Sequence, residues 1–391
     1  MAIKERIKKM SHYKPPLEGR ASKPYLLLDF NERTIGPGER VKEALKKLID
    51  SDRLQVYPEY GDLEGKIAQY AKVKPGQTMV TNGGDQGIDI ICRAYLDPGD
   101  KVIIPFPEFA MHYQSSGIQG AEILEPPYKE GRRDKSLLPP SLRSGEGRLP
   151  LEEILDLMED EKVKLIIFSN PNNPTGIFTE IEDVEKILKK AKEKDIAVLH
   201  DEAYFEFSGT TAKDLVDKYD NLYIMRTFAK AFGLVSTRVG YLISQTKNIR
   251  ELLKIRGPYD VNMFAKVAVI SALEDLKYME DYVKEVMEKS KLKLEEFLRE
   301  KNIFFYPSRA NFLLLRFENP DKMGDEDKSS SSPLTADRVV EGLKSKGILV
   351  RPKSAPDGKK AIRVSIGRTK DTEKLISALG GLLVDRVPEQ E

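Results

Sequence analysis

Lys230 lies in the segment Arg226-Thr227-Phe228-Ala229-Lys230-Ala231-Phe232-Gly233, and Arg238 follows it by eight residues. A lysine just past an apolar run, in a loop of small residues, is placed to act as an amine nucleophile. An arginine close by can hold an anion. Two more polar clusters come earlier, each at the end of an apolar run: Ser169-Asn170-Pro171-Asn172-Asn173-Pro174-Thr175-Gly176 and His200-Asp201-Glu202-Ala203-Tyr204. Asp201 would be costly at the end of a buried strand without a partner, and a protonated pyridine nitrogen is such a partner. Tyr204 and Asn173 can donate to a phenolate oxygen. A nucleophilic lysine, a ring-nitrogen acid, phenolate donors and an anion site are the groups that hold pyridoxal 5′-phosphate (PLP) and react with it. The plainer readings are a surface lysine at 230 and, at 172–176, a simple turn, which Asn, Pro and Gly favour anyway.

The phosphate of such a cofactor needs backbone N–H groups and positive charge. Thr81-Asn82-Gly83-Gly84-Asp85-Gln86 joins a predicted strand to a helix with Ile88, Ile91, Cys92 and Tyr95 on one face. Glycines there let the backbone approach an anion, and the helix N-terminus supplies donors and dipole. Gly84, Asp85 and Gln86 are the candidates, and Thr227 and Arg238 can complete the cage. The segment is neither a dinucleotide fingerprint nor a Walker A loop. Phe109, in Pro107-Glu108-Phe109, is a candidate to stack on the ring, and a core aromatic is the alternative.

The elements that must position these groups follow from the apolar pattern. Short apolar runs at 78–81, 101–105, 121–124, 164–169, 197–200, 222–227 and 239–244 read as strands. Helical stretches at 85–96, 109–116 and 180–194 fall among them. This alternation predicts an α/β fold with a mainly parallel sheet covered by helices, its ligand at the polar strand ends. Before it come a short strand at 25–30 and helices at 36–50 and 62–71. After it come a long charged helical connector at 274–301, strands at 310–317, 347–350 and 361–366, and a last helix at 375–384. The segments 129–148 and 319–333 read as surface insertions, the second mobile. Residues 1–9 are basic, with Ile3, Ile7 and Met10 at helical spacing, and predict a short docking helix rather than a membrane-surface anchor.

With 391 residues, the chain has room for more than one domain. Its 64 Lys+Arg and 63 Asp+Glu leave no global field for nucleic acid or an anionic membrane. No apolar stretch approaches membrane-spanning length. Cys92 is the single cysteine, which excludes an intrachain disulfide and fits a reducing, cytoplasmic compartment. Three His and that Cys are too scattered for a usual zinc site, so no metal is expected.

The joint pattern of Asn-Pro-Thr-Gly, Asp-x-x-Tyr, Lys with Arg eight residues on, and a late arginine in Ile362-Arg363-Val364-Ser365-Ile366-Gly367 resembles the fold-type I PLP enzymes, specifically the class I/II aminotransferases. Within them the chain is most similar to the histidinol-phosphate aminotransferases, over about residues 25–383. The resemblance implies a large PLP domain at 50–280 with a mainly parallel seven-stranded sheet. It also implies a smaller α+β domain built from the arm at 1–49 and from 281–391. Lys230 then matches the lysine that carries the cofactor, Asp201 the ring-nitrogen partner, and Tyr204 and Asn173 the phenolate contacts. Asp85, Gln86, Thr227 and Arg238 match the phosphate site, and Arg363 the arginine that grips a substrate carboxylate. Tyr57, in Val56-Tyr57-Pro58-Glu59-Tyr60-Gly61, matches a tyrosine supplied by the second subunit, which implies a homodimer with shared active sites. Arg351 resembles an arginine that helps bind the substrate phosphate from a loop before Pro352. His112, three residues after Phe109, has the aromatic-x-x-His spacing of aspartate aminotransferases, in which the histidine supports the aspartate.

The early Asn-Glu-Asn-Pro-Tyr-Gly-Pro segment of the family stands here as Asn31-Glu32-Arg33-Thr34-Ile35-Gly36-Pro37. Ile35 replaces a tyrosine, and Arg33 could add positive charge for substrate in its place. The expected reaction is histidinol-phosphate:2-oxoglutarate transamination, a step of histidine biosynthesis, with ping-pong alternation of PLP and pyridoxamine phosphate. An aromatic or broad-specificity aminotransferase, a threonine-phosphate decarboxylase-like enzyme and a non-catalytic PLP-binding regulator are the alternatives.

Overall fold

The computed structural model describes residues 3–20, 22–130, 147–317 and 335–384. A seven-stranded sheet lies at its centre, in the spatial order Thr78–Thr81, Gly240–Ile243, Leu222–Thr227, Ala197–Asp201, Val163–Ser169, Lys101–Ile103 and Glu122–Leu124. Gly240–Ile243 runs antiparallel to both neighbours, and every other pairing is parallel. Four of these strands bury every residue, as required of a sheet with helices on both faces. The covering helices are amphipathic: Ile181–Glu193 buries Val184, Ile187, Leu188 and Ala191, one stripe at helical spacing. The predicted α/β class and the seven-stranded, mainly parallel sheet match this architecture. In register, Ser169 lies beside Asp201 and Asp201 beside Met225, so the polar ends of the central strands open on one edge.

A second, antiparallel sheet has the order Phe304–Phe305, Phe312–Arg316, Lys360–Ser365 and Arg351–Ser354. It corrects one expectation. Arg351 is not in a loop: it begins the edge strand and lies opposite Arg363. Pro352 is tolerated because an edge strand has one side without ladder bonds. The expected strand at 25–30 shrinks to Leu26–Leu27, which pairs in parallel with Ile348–Leu349. Asn31 then adopts a left-handed conformation, φ 56°, and turns the chain into the cleft. The connector at 274–301 is not one regular helix. Leu276–Glu285 and Lys291–Glu300 flank a wider π-helical turn at Val286–Ser290.

Helix Glu5–Lys9 docks on helix Ala110–Gln119, where Arg6 Nε donates to the Ile118 carbonyl at 2.8 Å. Ile3 and Ile7 remain exposed, so of the expected stripe only Met10, which lies against Gly117, joins Arg6 in this contact. Lys129–Glu130 and Gly147–Arg148 pair as an antiparallel ribbon at the base of the 129–148 segment. The middle of that segment and all of 319–333 lie outside the described residues. No helix among the described residues is long and apolar enough to cross a membrane.

Candidate active site

A cavity of about 320 Å³ lies at the carboxyl ends of the strands that carry Ser169, Asp201 and Thr227. Gly84, Asp85, Phe109, Asn173, Asp201, Tyr204, Thr227, Lys230, Arg238, Arg351 and Arg363 all line it. The chain thus brings eleven of the residues singled out in the sequence to one place, from segments far apart along it.

Lys230 follows the strand Leu222–Thr227, and its Nζ donates to the Phe30 carbonyl at 2.9 Å. Burial first, and the Arg363 charge second, lower its pKa from 10.5 to about 8, against the opposing pull of Glu32 and Asp85. The neutral amine, the form that attacks a carbonyl carbon, is therefore accessible near neutral pH.

Asp201 is buried. Its Oδ1 accepts from the Ala203 N–H at 2.9 Å, and its Oδ2 lies 3.2 Å from His112 Nε2. His112, fully buried, presents Nδ1 at 3.8 Å from Glu108 Oε1. Glu108 accepts from the backbone N–H groups of Ser169 and Phe109, each at 2.9 Å, from Asn172 Nδ2 at 3.0 Å and from the Ser169 hydroxyl. Burial nonetheless pushes its pKa up to about 7. The sequence reading missed Glu108; its signal was an acid between Pro107 and Phe109 beside a buried strand.

Tyr204 OH accepts from Asn31 Nδ2 at 2.9 Å, and burial raises its pKa to about 12, so it stays a phenol able to donate. Asn173 Oδ1 accepts from Arg363 Nη1 at 2.6 Å, which assigns the amide orientation and leaves Nδ2 as a donor. The other arm of Arg363, Nη2, donates to the Asp29 carbonyl at 2.8 Å.

At the opposite end, helix Gly83–Tyr95 begins at the cavity, and its first N–H groups have no intrahelical partner. Arg238 Nη2 lies 2.9 Å from Asp85 Oδ2. A Cβ on Gly84 would sit 2.6 Å from Met225 Sδ, so the start of the helix packs closely on the sheet. Helix amides, Arg238 and Thr227 form an anion cradle, Lys230 supplies an amine, and Asp201 an acid. This donor set fits PLP.

Three candidates are not brought to the cavity. Arg33 is buried behind the Lys230 loop: Nη1 donates to the Ala231 carbonyl at 2.9 Å, and the guanidinium stacks 4.2 Å over Tyr282 and 4.8 Å over Tyr278. It holds the loop rather than facing substrate. The Gln86 side chain turns back to accept from the Asn82 N–H at 2.7 Å and to donate to Asp260. Tyr57 is 72% exposed and stacks on Tyr259, ring centroids 4.2 Å apart. Lys353, Tyr13, Phe30 and Glu32 line the cavity without having been foreseen.

The profile of the aminotransferase class I and II family matches residues 23–379. A histidinol-phosphate aminotransferase from Geobacillus sp. (strain WCH70) is 33% identical over 403 aligned positions, covering 99% of both chains. One from Thermoanaerobacter sp. (strain X514) is 30% identical, covering 98% of this chain and 99% of its own. The fold is that of the histidinol-phosphate aminotransferase from Sinorhizobium meliloti solved with pyridoxal 5′-phosphate, at a TM-score of 0.81, 22% identity and 98% coverage of each chain.

Proposed function

This chain belongs to the class I and II aminotransferases, and from that membership we propose that it moves the amino group of histidinol phosphate to 2-oxoglutarate, a step of histidine biosynthesis. It is a PLP-dependent enzyme, and bound PLP supplies the electron sink that makes a substrate Cα–H bond labile. Lys230 would hold the cofactor through its Nζ, and as a free amine that nitrogen is placed to take a proton from the substrate Cα. The Asp201 carboxylate, backed by His112, would keep the ring nitrogen protonated. Tyr204 and Asn173 would donate to the ring oxygen, and Phe109 would pack on the ring. The amides that open helix Gly83–Tyr95, with Thr227 and Arg238, would hold the cofactor phosphate.

The observation that carries the substrate reading is the pairing of Arg351 with Arg363 across two strands, both lining the cavity. Neither has a carboxylate within ion-pair reach among the described residues. Two unpaired guanidiniums suit a substrate with an anionic group remote from its amine, as in histidinol phosphate and in the 2-oxo diacid that accepts the amino group. The names of the similar curated proteins support the same donor. We further read the enzyme as a cytoplasmic homodimer in which Tyr57 completes the neighbouring subunit's cofactor site. In this reading residues 50–280 hold the cofactor, and the arm and C-terminal part close over substrate.

Arg351→Ala tests the donor. Loss of a charge-assisted contact worth roughly 1.5–3 kcal/mol should raise KM for histidinol phosphate about ten- to a hundredfold more than KM for a neutral amino donor. Equal effects on both donors, or no turnover of histidinol phosphate by wild type, would favour the broad-specificity reading. Release of carbon dioxide from a phosphorylated amino acid would favour the decarboxylase.

A further inference from the structure

We propose that Lys353 is a third anion-binding residue of the substrate site and that it selects substrates ending in a phosphate monoester dianion. The inference deepens the donor reading above and rests on it for the location of the substrate's far end.

Strand Arg351–Ser354 alternates: Arg351 and Lys353 line the cavity, whereas Pro352 and Ser354 are exposed. Arg363 faces the same cavity from the neighbouring strand, opposite Arg351. Three cations therefore converge from two paired strands. Their polar contacts are neutral: Arg363 donates to Asn173 Oδ1 and the Asp29 carbonyl, and Arg351 lies 4.9 Å over the Phe30 ring. The acids that act on them through space, and Glu32 in the cavity wall, are already engaged. Arg20 pairs with Asp29 at 2.8 Å and with Glu32. Glu108 attracts Lys353 through space, but its oxygens accept from Ser169, Phe109 and Asn172. Among the described residues, no carboxylate lies within ion-pair distance of Lys353, Arg351 or Arg363.

One bidentate arginine is enough for a carboxylate. A cluster of three cations exceeds what a single carboxylate needs and matches a group with two charges and three acceptor oxygens. Burial, then Arg363 and Arg351, lower the Lys353 pKa from 10.5 to about 7, while Glu108 acts in the opposite sense. Without an anion, proton loss from Lys353 relieves the repulsion within the cluster. An arriving dianion favours the charged form and draws a proton onto Lys353. The lysine thus adds attraction when the dianion is present and little repulsion when it is not.

The test uses the PLP holoenzyme as wild type, Lys353→Met and Lys353→Arg. Methionine keeps the length of the side chain and removes the charge. Inorganic phosphate is the binding probe, as a competitive inhibitor and by calorimetry at pH 8 in two buffers of different ionisation enthalpy. Losing one charge-assisted contact should raise the phosphate Ki, and the ratio of KM for histidinol phosphate to KM for leucine, by about tenfold in Lys353→Met. Lys353→Arg should recover most of both. Proton uptake on phosphate binding should be seen in wild type and be lost in Lys353→Met. Equal Ki values in wild type and Lys353→Met, or an unchanged KM ratio, would overturn the proposal while leaving the donor reading intact if wild type turns over histidinol phosphate. Phosphate binding that depends on Lys353 in an enzyme inactive on histidinol phosphate would keep the anion subsite and remove that donor.

Discussion

Opposing effects act on Lys230, and their balance is measurable. Burial and Arg363 favour the neutral amine, Glu32 and Asp85 the charged one, and the result is a pKa of about 8 instead of 10.5. The rate at which apoenzyme captures PLP should therefore rise with pH, pass half its maximum near 8 and level off above that; a stopped-flow rate whose midpoint lies near 10.5 would contradict this. Borohydride reduction of the holoenzyme should label the Lys230 peptide, and Lys230→Ala should fold yet carry no label. Glu108 has the opposite sign. Its folded pKa of about 7 lies above the ordinary 4.5, so the folded state binds the extra proton. The associated stability is complete below about 4.5 and is lost as pH rises through about 7. Relative to Glu108→Gln, wild type should lose urea resistance between pH 5 and pH 8, and a constant difference between the two midpoints would refute the assignment. The gathering of Lys230, Asp201, Tyr204 and Asn173 at one cavity was legible because each is a reactive or polar type at the end of an apolar run. Arg33 and Gln86 were not, because sequence gives proximity to a motif and not the direction a side chain takes. The two tyrosines that capture Arg33 come from helix Leu276–Glu285, far along the chain.

At the scale of elements, the anion cradle depends on how closely one turn approaches the sheet. A Cβ on Gly240 would sit 2.8 Å from both the Arg226 carbonyl oxygen and the Gly84 nitrogen, and 2.9 Å from the Gly83 carbonyl carbon. All three are backbone atoms, so no rotamer change relieves the contact. Gly240→Ala should cost roughly 1–3 kcal/mol of stability, as overpacking does, and should push the Gly83-Gly84 turn off the phosphate position. A lower unfolding temperature with weaker PLP affinity by fluorescence titration is the expected pair of results; unaltered affinity would show that the turn is not the cradle. The buried strand Leu222–Thr227 was read from the sequence with its observed bounds because it opens on the apolar run Leu-Tyr-Ile-Met. Arg351–Ser354 was missed for the converse reason. Arg-Pro-Lys-Ser has no apolar alternation, and its proline argues against a central strand, so only the ladder with Lys360–Ser365 reveals it. Lys353 went unseen with it.

Across the whole molecule, Tyr57 and Tyr259 stack on the surface, and Leu54 and Val56, just before Tyr57 in the chain, are exposed as well. Such a surface on a single chain suits an interface between subunits. The enzyme should sediment as a dimer. Co-expressed Lys230→Ala and Tyr57→Ala chains should show activity above the sum of the two alone, since one site of each mixed dimer keeps its own Lys230 and receives an intact Tyr57. Purely additive activities would place Tyr57 outside the shared site.

The parallel pairing of Leu26–Leu27 with Ile348–Leu349 has a consequence for biogenesis. The arm leaves the ribosome more than 300 residues before the strand it pairs with. Contacts so distant in sequence form late, after the entropy of closing a very long loop has been overcome. Until then Phe30 has no fixed place, and its carbonyl cannot orient the Lys230 amine. A nascent chain with a finished central sheet therefore lacks a finished site, and stable cofactor capture is deferred until Ile348–Leu349 has been made.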